Sequence, residues 1–265
     1  MGFLSDAGYL SSAKARFIIQ FLILLYFLLL SDLTIPHIRF FLIDKLLEFK
    51  FFSYFFTIIC FMILINGTNF IDGCNTLVIG YFSIIGIILF KLNLLNLVLV
   101  ENESQLIFFS YLFAIFILNF FQKLFLGDSG VYILSFIFGS ILIKLYIENP
   151  LISPYFICNL LWYPSFEVLF SIIRKYNFKF SALKPDTNHL HQLLYFYLLK
   201  KNKKIDSVLI NSLAANIINF YNLCILFIAS HDFSNSKFQL LLLMFSVIIY
   251  CLMYSGLYKF RFKNL

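Results

Sequence analysis

Apolar runs long enough to cross a bilayer recur along the whole 265-residue chain, and this excludes most folds at once. A membrane helix needs about 20 apolar residues. Runs near 16 to 31, 50 to 66, 76 to 92, 105 to 122, 129 to 147, 151 to 173, 207 to 229 and 238 to 258 approach or meet that length. Hydrophobic residues make up 62% of the chain and charged ones only 12%, with a mean hydropathy of +0.91, a balance no soluble core requires. Strands of a membrane barrel would alternate with period two, whereas these runs are apolar on every side. The expected fold class is all-α: a polytopic integral membrane protein of about eight transmembrane helices, forming one domain over residues 1–265.

Charge orients the bundle. With eight crossings, alternate connections share the side of the N-terminus, and that side receives 14 of the 20 basic residues. By the positive-inside rule it is the cytoplasmic side. The surplus follows from topology and also attracts anionic headgroups and phosphorylated substrates; no nucleic-acid partner is expected. The cysteines, Cys60, Cys74, Cys158, Cys224 and Cys251, have no paired spacing and read as small apolar residues.

On this topology every unusual polar cluster falls on the basic side. Ser5 and Asp6 precede the first span; Asn66, Asn69, Asp72 and Asn75 interrupt the chain between the second and third. Gly127-Asp128-Ser129-Gly130 opens the fifth, and the connection from 174 to 206 carries Asp186-Thr187-Asn188-His189-Leu190-His191-Gln192. Polar groups beside lipid are costly, so such clusters indicate function. Plainer readings exist: a polar turn at 66 to 75, a helix cap at 127 to 130, a solvated loop at 186 to 192. Together, however, they bring Asp6, Asp72 and Asp128 to one membrane face with two histidines and several cations. Carboxylates gathered there need a cation or shared protons, and oxygen donors without thiolates favour Mg2+ or Mn2+. The chemistry suggested is phosphoryl transfer at the membrane surface.

The motifs Asn66-x-x-Asn69-x-x-Asp72-Gly73, Leu126-Gly127-Asp128-Ser129-Gly130 and Asp186-x-x-His189-Leu190-His191 resemble, in order and approximate spacing, those of the polyprenyl-phosphate N-acetylhexosamine-1-phosphate transferases. These belong to glycosyltransferase family 4 and are related to phospho-N-acetylmuramoyl-pentapeptide transferase. Gly2-Phe3-Leu4-Ser5-Asp6 is similar to the family's first acidic motif, and Pro164-x-x-Glu167 with Arg174 to its Pro-x-x-Asp helix with a basic end. The resemblance implies transfer of N-acetylhexosamine 1-phosphate, or a related sugar phosphate, from a UDP-sugar to undecaprenyl phosphate. UMP would be released and a cell-envelope polysaccharide such as lipopolysaccharide initiated, at the cytoplasmic face of a bacterial inner membrane. It implies catalytic roles for Asp6, Asp72 and Asp128, with Asp128 and Asp72 holding Mg2+ (or Mn2+). Asn69, Arg174, Asp186, His189 and His191 would bind substrate, and a homodimer is compatible with it.

The departures shape the alternative. Ser5 stands where the family has a first aspartate, Asn75 where many members have another acid, Glu167 for an aspartate and Gln192 for a third histidine. Neither serine nor asparagine supplies a base. The resemblance further implies that about three helices usually precede the acidic motif. The alternative is a catalytically impaired relative that binds polyprenyl phosphate or a partner enzyme. A transporter is disfavoured, because the acids cluster at span ends and the chain shows no repeated halves.

Overall fold

A computed structural model describes residues 1–10, 12–99, 101–177 and 187–262, and among these the secondary structure is helical, with no strand. A short α1 (Gly2–Asp6) leads into α2 (Ala13–Ser31), α3 (Phe41–Leu47), α4 (Lys50–Ile71), α5 (Leu77–Lys91) and α6 (Asn102–Phe120). There follow α7 (Gly127–Glu148), α8 (Pro154–Leu160), α9 (Trp162–Asn177), α10 (Leu190–Lys201), α11 (Ser207–Ala229) and α12 (Ser236–Phe262). Helices α2, α4, α6, α7, α11 and α12 are long and apolar enough to cross a bilayer. The chain is an all-α, multi-pass membrane protein.

The two remaining expected spans depart from a simple rod. Helix α5 has 15 residues, about 22 Å at 1.5 Å per residue, short of the roughly 30 Å hydrocarbon layer. It is buried along nearly its whole length and packs on α4, α6, α7 and α11, so it forms the bundle's axis rather than a lipid-facing span. The run at 151 to 173 divides into α8 and α9, bent by 77°. The cause is Pro164. It has no N–H to give the Leu160 carbonyl, and its ring obstructs a continuous helix there. Tyr81 of α5 heals the break: its hydroxyl donates to the Leu160 carbonyl at 2.9 Å and accepts from the Tyr163 N–H at 3.4 Å. Helix α4 closes on the same place through Gly67, where any Cβ would collide with the Pro164 carbonyl.

The face opposite the polar clusters is tied by Arg39. Its guanidinium donates to the carbonyls of Pro150 and Ile152 (both 3.0 Å), to the Ser234 carbonyl at 3.2 Å and to Ser236 Oγ at 2.9 Å. The connections before α8 and α12 therefore meet the one after α2, as the alternating topology requires. On the basic face the connection from 174 to 206 contains α10 as well as loop, and α10 packs on α11 and α12. The five cysteines form no disulfide.

Tyr81→Phe should leave the Leu160 carbonyl without its buried donor and cost about 1–3 kcal/mol. A thermal melt of the detergent-solubilised protein would show the loss; an unchanged melting temperature would mean the break does not depend on the hydroxyl.

Candidate functional site

The first turn of α7 organises the polar clusters. Its free backbone N–H groups carry the positive end of the helix dipole and need an acceptor. That acceptor comes from the far end of the sequence. The Asp6 carboxylate takes the N–H of Asp128 at 2.9 Å, the N–H of Ser129 at 3.0 Å and the Ser129 hydroxyl at 2.6 Å. Gly127 makes the approach feasible: its φ of +58° is a left-handed conformation, and a side chain there would press on the Asp6 carboxylate. Burial works to raise the Asp6 pKa, but the Ser129 and Asp128 hydrogen bonds outweigh it and hold the carboxyl below the ordinary range.

Because Asp6 does the capping, Asp128 is free to point elsewhere. Its Oδ1 accepts from Asn69 Nδ2 of α4 at 2.6 Å; its Oδ2 accepts from Ser5 Oγ, from Arg16 Nη1 of α2 at 2.8 Å and from the Tyr132 hydroxyl at 3.3 Å. Arg16 also donates to Ser5 Oγ at 3.0 Å. Asp72 ends α4 one turn beyond Asn69, half-buried. Its carboxylate has no hydrogen-bond partner among the described residues. Burial, then the charges of Asp128 and Asp6, push its pKa up to about 7. A carboxylate so placed, beside two others, is short of positive charge.

Beneath the Asp72–Gly73 turn lies the histidine segment. His189 caps α10 in an extended conformation, so its ring stacks on that of His191 with centroids 5.7 Å apart, a contact that two helical residues at this spacing would not make. His189 Nδ1 bonds Glu167 Oε1 at 3.0 Å, and Glu167 Oε2 accepts the Tyr250 hydroxyl at 2.7 Å. Glu167 of α9 thus ties α10 and α12 together, and Phe70 of α4 packs on the His189 ring. His191 is fully buried against Gly73 without a hydrogen-bond partner for either ring nitrogen, and burial pushes its pKa down to about 4. Arg174 donates to Ser171 Oγ at 3.3 Å and lies over the Tyr254 ring. Asp186 lies outside the described residues.

The polar island at 66 to 75 divides by role. Asn66 bonds Gln20 of α2, Asn69 bonds Asp128, and Asp72 lies beside them. Asn75 and Thr76 turn the other way, into an asparagine layer. The Asn75 N–H donates to Asn211 Oδ1 at 2.7 Å; the amides of Asn216 and Asn219 donate to Thr76 Oγ1 and its carbonyl; Asn119 Oδ1 accepts the Thr76 N–H. These bonds hold Thr76 at a φ of +68°, a conformation unfavourable for a β-branched residue, and so turn the chain into α5.

Among the described residues no three His, Cys, Asp or Glu side chains form a ready metal cage, which includes the two histidines. The donor set fits a different arrangement: Asp72 and Asp128 flank Asn69, with an unneutralised carboxylate at Asp72. Mg2+ commonly takes one or two protein carboxylates and completes its shell with water and substrate phosphates. The residues present fit such a shared ion. Sequence reasoning placed Asp6, Asn69, Asp72 and Asp128 in the site but not Arg16, Tyr132 or the asparagine layer. Arg16 was legible as one of the two basic residues, with Lys14, that follow Asp6 on the same face.

Comparison with known proteins bears on the family of the chain. A curated relative from Bacillus subtilis (strain 168), named a "Probable undecaprenyl-phosphate N-acetylglucosaminyl 1-phosphate transferase", is 30% identical over 207 residues, covering 73% of this chain and 54% of the relative. The chain thus spans about half the length of the curated relative it matches. No solved structure matches it. The family model for glycosyl transferase family 4 matches residues 1–146, more than half the chain and the stretch that contains Asp6, Asn69, Asp72 and Asp128, and the chain belongs to that family.

Proposed function

We propose that the protein transfers N-acetylhexosamine 1-phosphate from a UDP-sugar to undecaprenyl phosphate at the cytoplasmic face of a bacterial inner membrane, releasing UMP and initiating a cell-envelope polysaccharide. The observation that carries this reading is the meeting of Asp6, Asn69, Asp72 and Arg16 around Asp128 at one end of a membrane bundle. Family membership supports the reaction class, and the name of the Bacillus relative supports the choice of acceptor and sugar.

In this reaction an oxygen of the polyprenyl phosphate attacks the sugar-linked phosphorus of the UDP-sugar. The bond to the bridging oxygen of UMP breaks, and UMP departs with that electron pair. The product is a polyprenyl diphosphate sugar. Both substrates are anionic, so the site must supply positive charge and fixed donors. Asp72 and Asp128 would hold Mg2+ or Mn2+, with Asn69 beside them, and the ion supplies charge neutralisation on the diphosphate. Arg16 sets the Asp128 carboxylate and offers a guanidinium to phosphate oxygens. Asp6 maintains the α7 terminus and orients the acceptor phosphate. Asn69 and Arg174 bind substrate, Asp186 extends that role, and His189 and His191, buried beneath the Asp72–Gly73 turn, support the turn against which the diphosphate would lie. Ser5 hydrogen-bonds the central carboxylate where the family has an acid, so deprotonation of the acceptor rests on fewer groups.

Purified protein should release UMP from UDP-N-acetylglucosamine and undecaprenyl phosphate only with Mg2+ or Mn2+. Asp128→Asn should lower turnover by about 100-fold or more, since a central carboxylate in phosphoryl transfer is lost. Absence of UMP release by folded protein with any UDP-N-acetylhexosamine would reject the enzyme and favour the impaired relative. A second readout needs no turnover: Mg2+ should raise the melting temperature of the wild type but not of Asp72→Asn. An equal rise in both would remove Asp72 from the ion's ligands.

A further inference from the structure

A second polar region lies on the same membrane face, apart from the three aspartates. Helix α10 ends in Lys200 and Lys201, its exit carries Lys203 and Lys204, and the last turn of α12, which packs on α10, brings Lys259 and Arg261. The five lysines are exposed, and none of the six cations has a carboxylate partner among the described residues. Asp206 is the one acid in the stretch from Lys200 to Ser207, and its carboxylate is engaged in capping α11 through the Val208 N–H.

Three of the six cations lie over aromatic rings. Lys200 lies 5.3 Å from the Phe260 ring centre, Lys201 4.7 Å from that of Tyr197, and Arg261 4.3 Å from that of Phe196. Between α10 and α12, Phe196, Tyr197, Lys200, Phe260 and Arg261 line a cavity of about 250 Å³. Aromatic rings under cationic heads, at the end of a membrane helix, match the layered chemistry of a lipid surface: rings at the headgroup level, charges toward phosphate. The charge is of one sign over two adjacent helices, which a zwitterionic headgroup would not repay.

We propose that this shelf of α10 and α12 is a binding site for anionic phospholipid headgroups. The assignment is independent of the transferase reading, because none of its residues takes part in the aspartate cluster. It has a structural consequence. Arg261 donates to the Thr187 carbonyl, to Thr187 Oγ1 at 3.0 Å and to Asn188 Oδ1 at 3.2 Å, so the helix end that carries the shelf also holds the segment leading into His189. Lipid on the shelf steadies that segment.

The test is native mass spectrometry of the delipidated full chain, titrated in detergent with phosphatidylglycerol or phosphatidylcholine. Wild type should retain phosphatidylglycerol in preference to phosphatidylcholine. The variant Lys200→Gln/Lys201→Gln/Lys203→Gln/Lys204→Gln should lose at least about ten-fold in phosphatidylglycerol affinity, given the contribution of each cation near a membrane surface. The four side chains are exposed, so folding should survive, and an unchanged melting temperature would verify it. Neutralising Lys45 and Lys237 on the opposite face should leave retention intact. Equal phosphatidylglycerol affinity in the quadruple variant would overturn the proposal. Displacement of the lipid from wild type by millimolar pyrophosphate would overturn it too, because the shelf would then be a site for soluble phosphate.

Discussion

The interaction on which the site depends is a helix cap supplied from more than a hundred residues away. A helix N-terminus leaves its first backbone N–H groups in need of an acceptor, and the residue nearest at hand, Asp128, is within the first turn itself. Were Asp128 spent on its own helix, the central carboxylate would be lost. Asp6 takes that task instead, and Asp128 turns toward α2 and α4, where Arg16 and Asn69 fix both its oxygens. One hydrogen-bond pattern thereby docks the N-terminal segment, satisfies α7 and frees a carboxylate for chemistry.

The rest of the bundle holds this arrangement in place. The short α5 lies inside, and its Tyr81 compensates the groups freed by Pro164, so α9 can bend and carry Glu167 to the histidine segment. On the far side of the polar island, asparagines from α6 and α11 fix Thr76. The Asp72 turn is thus held from both sides: by His191 below Gly73 and by the asparagine layer at its exit. Its carboxylate has no hydrogen-bond partner among the described residues, which is where an arriving cation gains most.

Much of this was legible in the chain. Spans are set by apolar length, so all eight runs correspond to helices, and period alone decided helix over strand. The grouping of Asp6, Asn69, Asp72 and Asp128 followed from charge topology, a long-range rule that needs no side-chain geometry. What escaped was directional. Nothing in the sequence distinguishes an aspartate that caps from one that faces a ligand: Asp128 was read as a metal ligand with a cap as the plainer reading, and the capping by Asp6 was not foreseen. Arg16 looked like a topology marker because its partner is 112 residues away. Asn75 read as a departure from the family's acid within the polar island, and its backbone serves the asparagine layer instead. The bend at Leu161 was hidden because Pro164 lies within an apolar run of spanning length, and Tyr81, which repairs it, is remote in sequence.

The account stands or falls on α1, α4 and α7 meeting at one carboxylate. The direct measurement is cross-linking of Ser5→Cys/Asn69→Cys, in a background without native cysteines, by a short bifunctional thiol reagent in native membranes. Since Ser5 and Asn69 bond the two oxygens of Asp128, the pair should link efficiently, while Ser5→Cys/Lys45→Cys, with Lys45 on the opposite face, should not. Failure of the first pair in folded protein, or equal linking of both, would contradict the assembly of the site.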